Sequence, residues 1–310
     1  MVRRASLALG LLWLLLPASA QAAASKPAVT TGAAASVTQS TVTLTGTVDP
    51  NGAATTYFFQ FGTTSLYGLQ TAAGTVTGSK PHHVAVAVSG LAPFTRYHYR
   101  LVAQNAKGLT KGHDRSFKTL KQPLGLTLSA GPNPVGFGRP LIVGGTLTGT
   151  NHANREVVLQ SNPFPYTQGF LNATNPQLTN AAGQFSFTLA SVPLNTQFRV
   201  LMPNVPRVVS PIIAEGVKPA ITTHVRVRGT LLRFSGSVRP LIIGAPVSIQ
   251  KRRHHRWVTI ARALTHRASA TRASYHRRVR QRRGGRYRVV VGSIGSYATA
   301  AGHSMRVHVR

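Results

Sequence analysis

Thr41-Val42-Thr43-Leu44-Thr45-Gly46-Thr47-Val48 is the stretch of this 310-residue chain that decides its fold class. The residues at every second position are apolar, which is the pattern of a β-strand with one buried face. The turn-forming residues Asp49-Pro50-Asn51-Gly52 follow at once. The same alternation recurs at Tyr57, Phe59 and Phe61, at Val84, Val86 and Val88, and at Tyr97, Tyr99, Leu101 and Ala103. Short alternating strands separated by turns predict an antiparallel β-sandwich.

The segment Leu91-Ala92-Pro93-Phe94-Thr95-Arg96-Tyr97 resembles the E–F corner of fibronectin type III domains. Phe58-Phe59-Gln60-Phe61-Gly62, followed by Tyr67-Gly68, is similar to the variant of this domain that is common in bacterial secreted proteins. The resemblance covers residues 33–120. It implies that Tyr97 is the corner tyrosine, whose hydroxyl is hydrogen-bonded back to the main chain. The buried Trp that the family has on strand B is missing here, since the apolar positions of that stretch hold only Val, Leu and Gly.

Two further units follow, and they echo each other. Val247-Ser248-Ile249-Gln250 echoes Val157-Val158-Leu159-Gln160, and Arg286–Val291 echoes Gln197–Met202. A repeat of about 90 residues indicates tandem modules, and both units are similar to bacterial immunoglobulin-like repeats of surface proteins. The sequence therefore predicts an all-β chain with a signal peptide at 1–20, a linker at 21–35, a fibronectin type III-like domain at 36–121, an immunoglobulin-like β-sandwich at 122–217 and a strongly basic immunoglobulin-like β-sandwich at 218–310. We call the three sandwiches modules 1, 2 and 3.

The N-terminus has the composition of a secretory signal peptide. Arg3 and Arg4 precede the apolar run Ala5–Leu16, which is too short to span a bilayer as a stable helix. Ala18-Ser19-Ala20 offers small residues for cleavage before Gln21, and an uncleaved anchor is the alternative interpretation. The chain has no cysteine and no second apolar stretch of membrane-spanning length. We therefore expect a secreted bacterial protein, extracellular or associated with the cell envelope, that has no disulfides and no transmembrane span in its mature form.

Positive charge is concentrated in module 3. The formal net charge of the chain is +32, with 36 Lys and Arg against four acidic residues. Module 3 carries 19 Arg, 2 Lys and no Asp or Glu, a net charge of +21, whereas module 2 carries only +2. A GC-rich genome produces an Arg bias without any function, but such a bias acts on all modules alike. The asymmetry favours an anionic partner for module 3, and a solvated surface that keeps the protein soluble is the alternative.

The candidate anion-binding residues form two clusters in module 3. Arginine is suited to this role because its guanidinium group binds phosphate, sulfate or carboxylate with two parallel hydrogen bonds. The candidate residues are Arg252, Arg253, His254, His255 and Arg256, and Arg277, Arg278, Arg280, Arg282 and Arg283. The expected partners are an anionic cell-envelope polymer or another polyanion, including non-specifically bound nucleic acid, and a protein partner for modules 1 and 2.

Enzymatic chemistry has little support in this sequence. The four acids lie in a turn (Asp49), in a loop (Asp114), at the start of a strand (Glu156) and at the interdomain join (Glu215), so we expect no opposed pair of carboxylates of the kind that a glycosidase needs. The chain has no G-x-S-x-G, H-E-x-x-H or P-loop motif, and we expect no acid to orient a Ser–His triad. Adjacent histidines such as His82-His83 point to opposite faces of a strand and are poorly spaced as metal ligands. We expect no catalytic centre, no cofactor and no metal site.

These observations predict a structural or adhesive protein in which module 3 holds the chain on an anionic surface. Modules 1 and 2 would act as spacers or bind a partner. An extracellular nucleic-acid-binding protein is the first alternative, although no sequence-specific reading motif is present. An accessory carbohydrate-binding module is the second, and it needs a flat platform of exposed aromatics such as Phe164, Tyr166 or Trp257. We expect Trp257 to pack in the sandwich core rather than to stack on a ligand.

Overall fold

A computed structural model describes residues 23–309 of the chain. The signal peptide predicted at residues 1–20 lies outside the described residues. The chain divides into two compact units, one ending at Gln122 and the other beginning at Pro123. Module 1 belongs to the first unit, and modules 2 and 3 together make up the second. Within residues 23–309, no helix has the length and apolar composition needed to cross a membrane.

Module 1 is a sandwich of two antiparallel sheets. Its strands are β1 (Ala28–Thr31), β2 (Val42–Asp49), β3 (Thr55–Gly62), β4 (Leu69–Gln70), β5 (Gly74–Val76), β6 (His82–Val88), β7 (Arg96–Asn105), β8 (Gly108–Lys111) and β9 (Arg115–Lys118). One sheet has the order β1-β2-β6. The other has β3 and β7 at its centre, with β4 and β5 beside β3 and β8 and β9 beside β7. Val42, Leu44 and Val48 of β2 are buried, as the alternation predicts.

Strand β1 lies inside the segment that the sequence predicts to be a linker. It pairs antiparallel with β2, and the buried hydroxyl of Thr31 accepts a hydrogen bond from the Leu101 backbone N–H (3.1 Å). The prediction of a linker at 21–35 is therefore wrong for residues 28–31. Ala-, Thr- and Pro-rich composition is also typical of flexible segments, which is why the sequence indicates a linker. The pairing of β1 with β2 across the intervening loop is not visible locally in the sequence.

Tyr97 sits at the corner that leads into β7. Its hydroxyl accepts a hydrogen bond from the Ala92 backbone N–H (3.0 Å), and its ring stacks on Phe117 with the centroids 5.6 Å apart. The ring fills the core, and the hydroxyl satisfies a main-chain donor of the corner.

Tyr97→Phe is expected to lower the free energy of unfolding of module 1 by about 1–2 kcal/mol, because the Ala92 N–H loses its partner while the ring packing stays. Urea unfolding followed by fluorescence measures this loss. Tyr57→Phe is the matched control, since the Tyr57 hydroxyl has no hydrogen-bond partner within residues 23–309. An equal loss in both variants would contradict a role for the corner hydrogen bond.

Module 2 is also a two-sheet sandwich. Its strands are β10 (Gly125–Leu126), β11 (Ser129–Gly131), β12 (Val135–Gly136), β13 (Leu141–Thr148), β14 (Glu156–Pro163), β15 (Leu171–Asn172), β16 (Gln177–Leu178), β17 (Gln184–Leu189), β18 (Thr196–Met202), β19 (Val208–Val209), β20 (Ile213–Glu215) and β21 (Val217–Lys218). In one sheet β13 pairs with β10, β11 and β17. In the other, β14 and β18 are central, with β15 and β16 beside β14 and β19 and β20 beside β18.

Module 3 repeats this plan. Its strands are β22 (Ala220–Ile221), β23 (His224–Arg228), β24 (Leu231–Arg239), β25 (Pro246–Arg253), β26 (Arg256–Leu264), β27 (His266–Arg267), β28 (Ala273–Arg280), β29 (Gly285–Val291), β30 (Ala300–Ala301) and β31 (Met305–Val307). In one sheet β24 has β28 on one side and both β22 and β23 on the other, and β27 pairs with the far edge of β28. In the other, β25 lies between β26 and β29, and β29 also pairs with β30 and β31.

Each module buries its own hydrophobic core between its two sheets. Large side chains with at most 1% of their surface exposed mark the three cores: Phe59 and Leu101, Phe187 and Phe198, and Phe234 and Tyr287. The prediction of an all-β chain of tandem antiparallel sandwiches is confirmed. The sequence signal was sufficient because the period-2 burial pattern is strong in each central strand.

Two glycines allow the first strands of modules 2 and 3 to lie unusually close to the neighbouring strand. A Cβ added at Gly145 in β13 would lie 2.1 Å from the Thr127 carbonyl oxygen, and one at Gly236 in β24 would lie 1.9 Å from that of Thr222. Both threonines occupy breaks, between β10 and β11 and between β22 and β23. Each hydroxyl accepts a backbone N–H from the facing strand, at 3.0 and 3.1 Å respectively. Modules 2 and 3 therefore share this irregularity as well as their strand order.

The strand pair β12–β21 ties the beginning of module 2 to its end. It is parallel, whereas all other strand pairs within residues 23–309 are antiparallel. The Val135 N–H donates to the Gly216 carbonyl (2.8 Å), and the Phe137 N–H donates to the Lys218 carbonyl (2.9 Å). These bonds close module 2 at the point where the chain passes into module 3.

Main-chain hydrogen bonds also join module 3 to module 2. The Ala298 N–H donates to the Val217 carbonyl (2.8 Å), and the Asn195 N–H donates to the Ser296 carbonyl (2.9 Å). Tyr297 packs against the cores of both modules. These contacts explain why modules 2 and 3 form one compact unit.

Candidate functional site

The hairpin β25–β26 presents the first predicted cluster at one end of module 3. Arg253 and Arg256 face each other at the strand ends, and His254 and His255 form the turn with φ values of 44° and 65°. Positive φ at both central residues is the geometry of a type I′ turn, whose twist matches that of the flanking strands. All the side chains from Arg252 to Arg256 are exposed. The five predicted residues therefore form one continuous projecting surface.

Lys251 connects this hairpin to the second predicted cluster. Its buried Nζ donates to Gln281 Oε1 (3.1 Å) and to the Arg283 carbonyl oxygen (2.7 Å). Burial, followed by the charges of Arg253 and Arg283, lowers the pKa of Lys251. The contact holds the turn that carries Arg282 and Arg283 against the hairpin. We call Arg252–Arg256 together with Arg282 and Arg283 the basic tip.

The remaining predicted residues lie on β28, where they point in two directions. Arg278 and Arg280 face outward from the sheet, whereas Arg277 lies opposite the core residue Phe234 on the other face. The structure therefore places Arg277 apart from Arg278 although the two are adjacent in the sequence.

Arg278 and Arg280 belong to a larger basic surface on the outside of this sheet. Arg226, Arg233 and Arg278 lie side by side on three adjacent strands, and Arg228, Leu231 and Arg280 form the next row. All five arginines are exposed. Module 3 contains no Asp or Glu that would offset their charges. We call Arg226, Arg228, Arg233, Arg278 and Arg280 the basic face.

Three members of the basic face, Arg226, Arg228 and Arg233, are not among the predicted residues, and the least visible of them in the sequence is Arg233. It is a single arginine within the apolar strand Leu231-Leu232-Arg233-Phe234. Only the pairing of β24 with β23 and β28 shows that it lies between two other arginines.

A different arginine arrangement occurs once in each module. A half-buried guanidinium lies over an aromatic ring, 4.2–4.5 Å from its centroid, and its Nε donates to a glutamine Oε1 on the neighbouring strand at 2.8–2.9 Å. The three sets are Arg100 with Gln60 and Tyr67, Arg199 with Gln160 and Phe170, and Arg288 with Gln250 and Trp257. Because these guanidinium groups are already bonded and stacked, they stabilise the sheet surface.

The prediction that Trp257 packs in the core is wrong. Trp257 lies half-buried on the outer face of its sheet, opposite Arg252 and against Arg288. The register of β25 and β26 shifts between Ile249 and Gln250, which leaves one extra residue on β26. Such a bulge reverses the facing of every residue beyond it. Alternation counted from the far end of β26 therefore assigns Trp257 to the wrong face.

One acid of module 1 contacts a histidine, a pair that the sequence analysis did not predict. Asp114 Oδ2 lies 2.8 Å from His98 Nδ1, and Asp114 Oδ1 accepts the Tyr67 hydroxyl at 2.9 Å. Burial, followed by the hydrogen bond to Asp114, raises the pKa of Tyr67. No hydroxyl group within residues 23–309 is hydrogen-bonded to His98, so the pair does not extend to a Ser–His–Asp triad. No group of three His, Asp or Glu side chains in the described part of the chain is arranged to hold a metal ion.

The aromatic residues singled out for a carbohydrate platform do not form a flat surface. The rings of Phe164 and Tyr166 meet at 82° with their centroids 5.6 Å apart. The Phe164 ring also lies against Gly295, where an added Cβ would be 2.5 Å from Phe164 Cζ. With one face of Trp257 covered by Arg288, the geometry gives the carbohydrate-binding alternative no support.

Glu215 is a buried carboxyl group at the end of module 2. Only 2% of its surface is exposed, and its Oε1 accepts the Val135 backbone N–H at 3.1 Å. Burial raises the pKa of Glu215 to about 7, against the opposing effect of that hydrogen bond. No Lys, Arg or His within residues 23–309 forms an ion pair with it.

The fold and these surfaces define a chain of tandem β-sandwich modules. No family model and no curated protein matches the chain. Similar solved structures include the chicken CNTN1 FN1-FN3 domains, with 16% identity and a TM-score of 0.30 over 91% of this chain and 97% of that one. Domains A168-A170 from titin have 11% identity and a TM-score of 0.38 over 91% and 99% of the two chains. A tetra-tandem repeat in the extending region of a large adhesion protein has 14% identity and a TM-score of 0.31 over 91% and 74%. At these identities the likeness concerns the fold alone.

Proposed function

We propose that this chain is a non-catalytic structural or adhesive protein, secreted to the bacterial cell envelope, and that module 3 holds it on a polyanion. One observation carries the proposal: module 3 displays a net charge of +21 without a single Asp or Glu. Much of this charge is exposed on the basic tip and the basic face.

The chemistry of these two surfaces suits an anionic polymer. Each guanidinium presents a planar set of donors that fits phosphate, sulfate or carboxylate oxygens. Each neutralised charge on a dense polyanion releases bound counterions, so that several contacts together give strong and salt-dependent binding. A neutral ligand gains nothing from this concentration of charge.

The charge distribution along the chain supports a division of labour. Module 2 is nearly neutral at +2, and it is joined to module 3 by main-chain hydrogen bonds. In this proposal, module 3 attaches the chain to the polymer while modules 1 and 2 act as spacers or bind a protein partner.

Binding of the purified protein to immobilised polymers tests the proposal. The probes are a glycerol-phosphate polymer, polyglutamate and uncharged dextran, in salt from about 0.05 to about 0.5 M. We expect binding to the anionic polymers at about 0.15 M salt and none to dextran, with log K falling against log salt with a slope of about −3 or steeper. Failure to bind either anionic polymer at about 0.15 M salt would mean that the charge of module 3 is compositional.

A further inference from the structure

The basic face is concave as well as charged. Arg226, Arg228, Leu231, Arg233 and Arg278 line a depression of about 310 Å³. The long arginines of β23 and β28 form its sides, and the half-buried Leu231 on β24 lies between them. We call this depression the trough. It runs along β24, with Arg226 and Arg228 of β23 on one side and Arg278 of β28 on the other.

The spacing of the arginines gives the trough a direction. Residues two apart on one strand are separated by about 6.7 Å, and adjacent strands lie about 4.8 Å apart. Arg226 and Arg228 therefore form a row of donors on one side, and Arg278 lies on the other side with Arg280 beyond it on the same strand, just outside the lining. A chain lying along β24 meets arginines at two successive positions about 6.7 Å apart.

The trough lacks an aromatic platform on which a base or a sugar ring could stack. Its lining contains no aromatic side chain, and stacking on aromatic rings is how proteins hold the bases of single-stranded nucleic acid. It also lacks carboxylates and amides that would accept hydrogen bonds from sugar hydroxyls. The available interactions are guanidinium hydrogen bonds to anionic oxygens and one apolar contact at Leu231.

On the basis of the proposed function, we infer that the trough is the binding site for a flexible polyol-phosphate chain, whose successive phosphodiester groups are gripped by the arginine rows of β23 and β28. A phosphodiester polymer carries its charges in its main chain. Such a chain can therefore lie between the two rows and present an anion at each one. Arg233, on the middle strand β24, contacts the same phosphates from the floor of the trough.

The arrangement is unfavourable for folding, and this supports a binding role. Like charges directly opposite each other on neighbouring strands destabilise a sheet. Arg233 has an arginine on both sides, at Arg226 and Arg278, with no acid in the module to compensate. A bound polyanion removes this repulsion.

Two opposite effects of one substitution test the role of Arg233. Arg233→Thr is expected to raise the Tm of the C-terminal unit by about 2–4 °C, because the repulsion is removed and Thr favours strands. The same substitution should weaken polymer binding. Arg262→Thr is the matched control, since Arg262 lies on the outer face of the other sheet with Ser248 opposite it. A polymer affinity of the Arg233→Thr protein equal to that of the control would overturn the proposal.

Two triple variants of the full-length protein locate the site. One replaces Arg226, Arg233 and Arg278 with Thr, and the other replaces Arg262, Arg286 and Arg306, which are exposed on the opposite sheet. Both remove three charges. The trough triple should lose about tenfold or more in affinity for glycerol-phosphate polymer and flatten the salt slope by about 2, whereas the control triple should change the affinity less than about threefold.

The remaining outcomes distinguish this proposal from the proposed function. Equal losses in the two triples would overturn the trough, while binding by general charge would stand. No binding by the parent protein at about 0.15 M salt would overturn both. Oligothymidine is the comparison probe, and tighter binding of oligothymidine than of the polyol phosphate at equal charge would overturn the polyol-phosphate assignment.

Discussion

Replacing Glu215 with Gln is expected to raise the free energy of unfolding of the C-terminal unit by less than about 1 kcal/mol near pH 5 and by about 3 kcal/mol at pH 8. Glutamine has the shape of protonated glutamic acid, and its Oε1 can keep the hydrogen bond from the Val135 N–H. The variant therefore reproduces the protonated form at every pH.

The direction follows from the pKa of Glu215 in the two states. Burial raises the pKa from 4.5 to about 7 in the folded protein. Between these values the folded state binds a proton that the unfolded state has lost, so the contribution of Glu215 to stability is complete below pH 4.5. It is lost as the pH rises through 7. The difference in pKa, at about 1.4 kcal/mol per unit, gives the expected effect of about 3 kcal/mol.

Urea unfolding of the parent and variant from pH 5 to pH 8 measures this difference. Glu156→Gln is the control, because it removes one carboxylate from a half-exposed position at the start of β14. Parallel stability profiles for the parent and the Glu215→Gln protein would show that the carboxyl group is not buried as described.

Gly236→Ala is expected to destabilise module 3 by about 3 kcal/mol or more, and Gly145→Ala should do the same to module 2. The added methyl group would lie 1.9 Å from the Thr222 carbonyl oxygen in one case and 2.1 Å from that of Thr127 in the other. Both obstacles are backbone atoms, so no side chain can rotate away to make room.

Thermal unfolding of the two variants tests this expectation, with Gly131→Ala as the control. No atom lies within 4 Å of a Cβ placed at Gly131, so this substitution should change the unfolding free energy by less than about 0.5 kcal/mol. A wild-type Tm for Gly236→Ala would mean that the first strand can move away from β24 at little cost.

Period-2 alternation was sufficient to predict the central strands, because each has one face in a core. It could not predict β1, whose Thr- and Ala-rich residues become buried only through pairing with β2. The side on which Trp257 lies depends on a bulge in β26 that leaves no mark on composition. Local pattern thus defines a strand, while register decides what each side chain contacts.

The candidate surfaces were predictable only as far as they are local in sequence. The basic tip is largely one hairpin, so the run Arg252–Arg256 identifies it directly. The basic face combines three strands, and Arg233 becomes part of it only through pairing.

The three Gln–Arg–aromatic sets share a short sequence pattern around their arginines. The order aromatic-Arg-aliphatic occurs three times, in Tyr99-Arg100-Leu101, Phe198-Arg199-Val200 and Tyr287-Arg288-Val289.

The parallel pair β12–β21 has a mechanical consequence. When the two ends of module 2 are pulled apart, β10 and β11 can peel from β13 one bond at a time. Tension then passes through β12 and β21 in opposite directions along their length. Their main-chain hydrogen bonds, including the one from Val135 to Gly216, are loaded together in shear and must break together. Module 2 is therefore expected to resist a force that pulls its two ends apart.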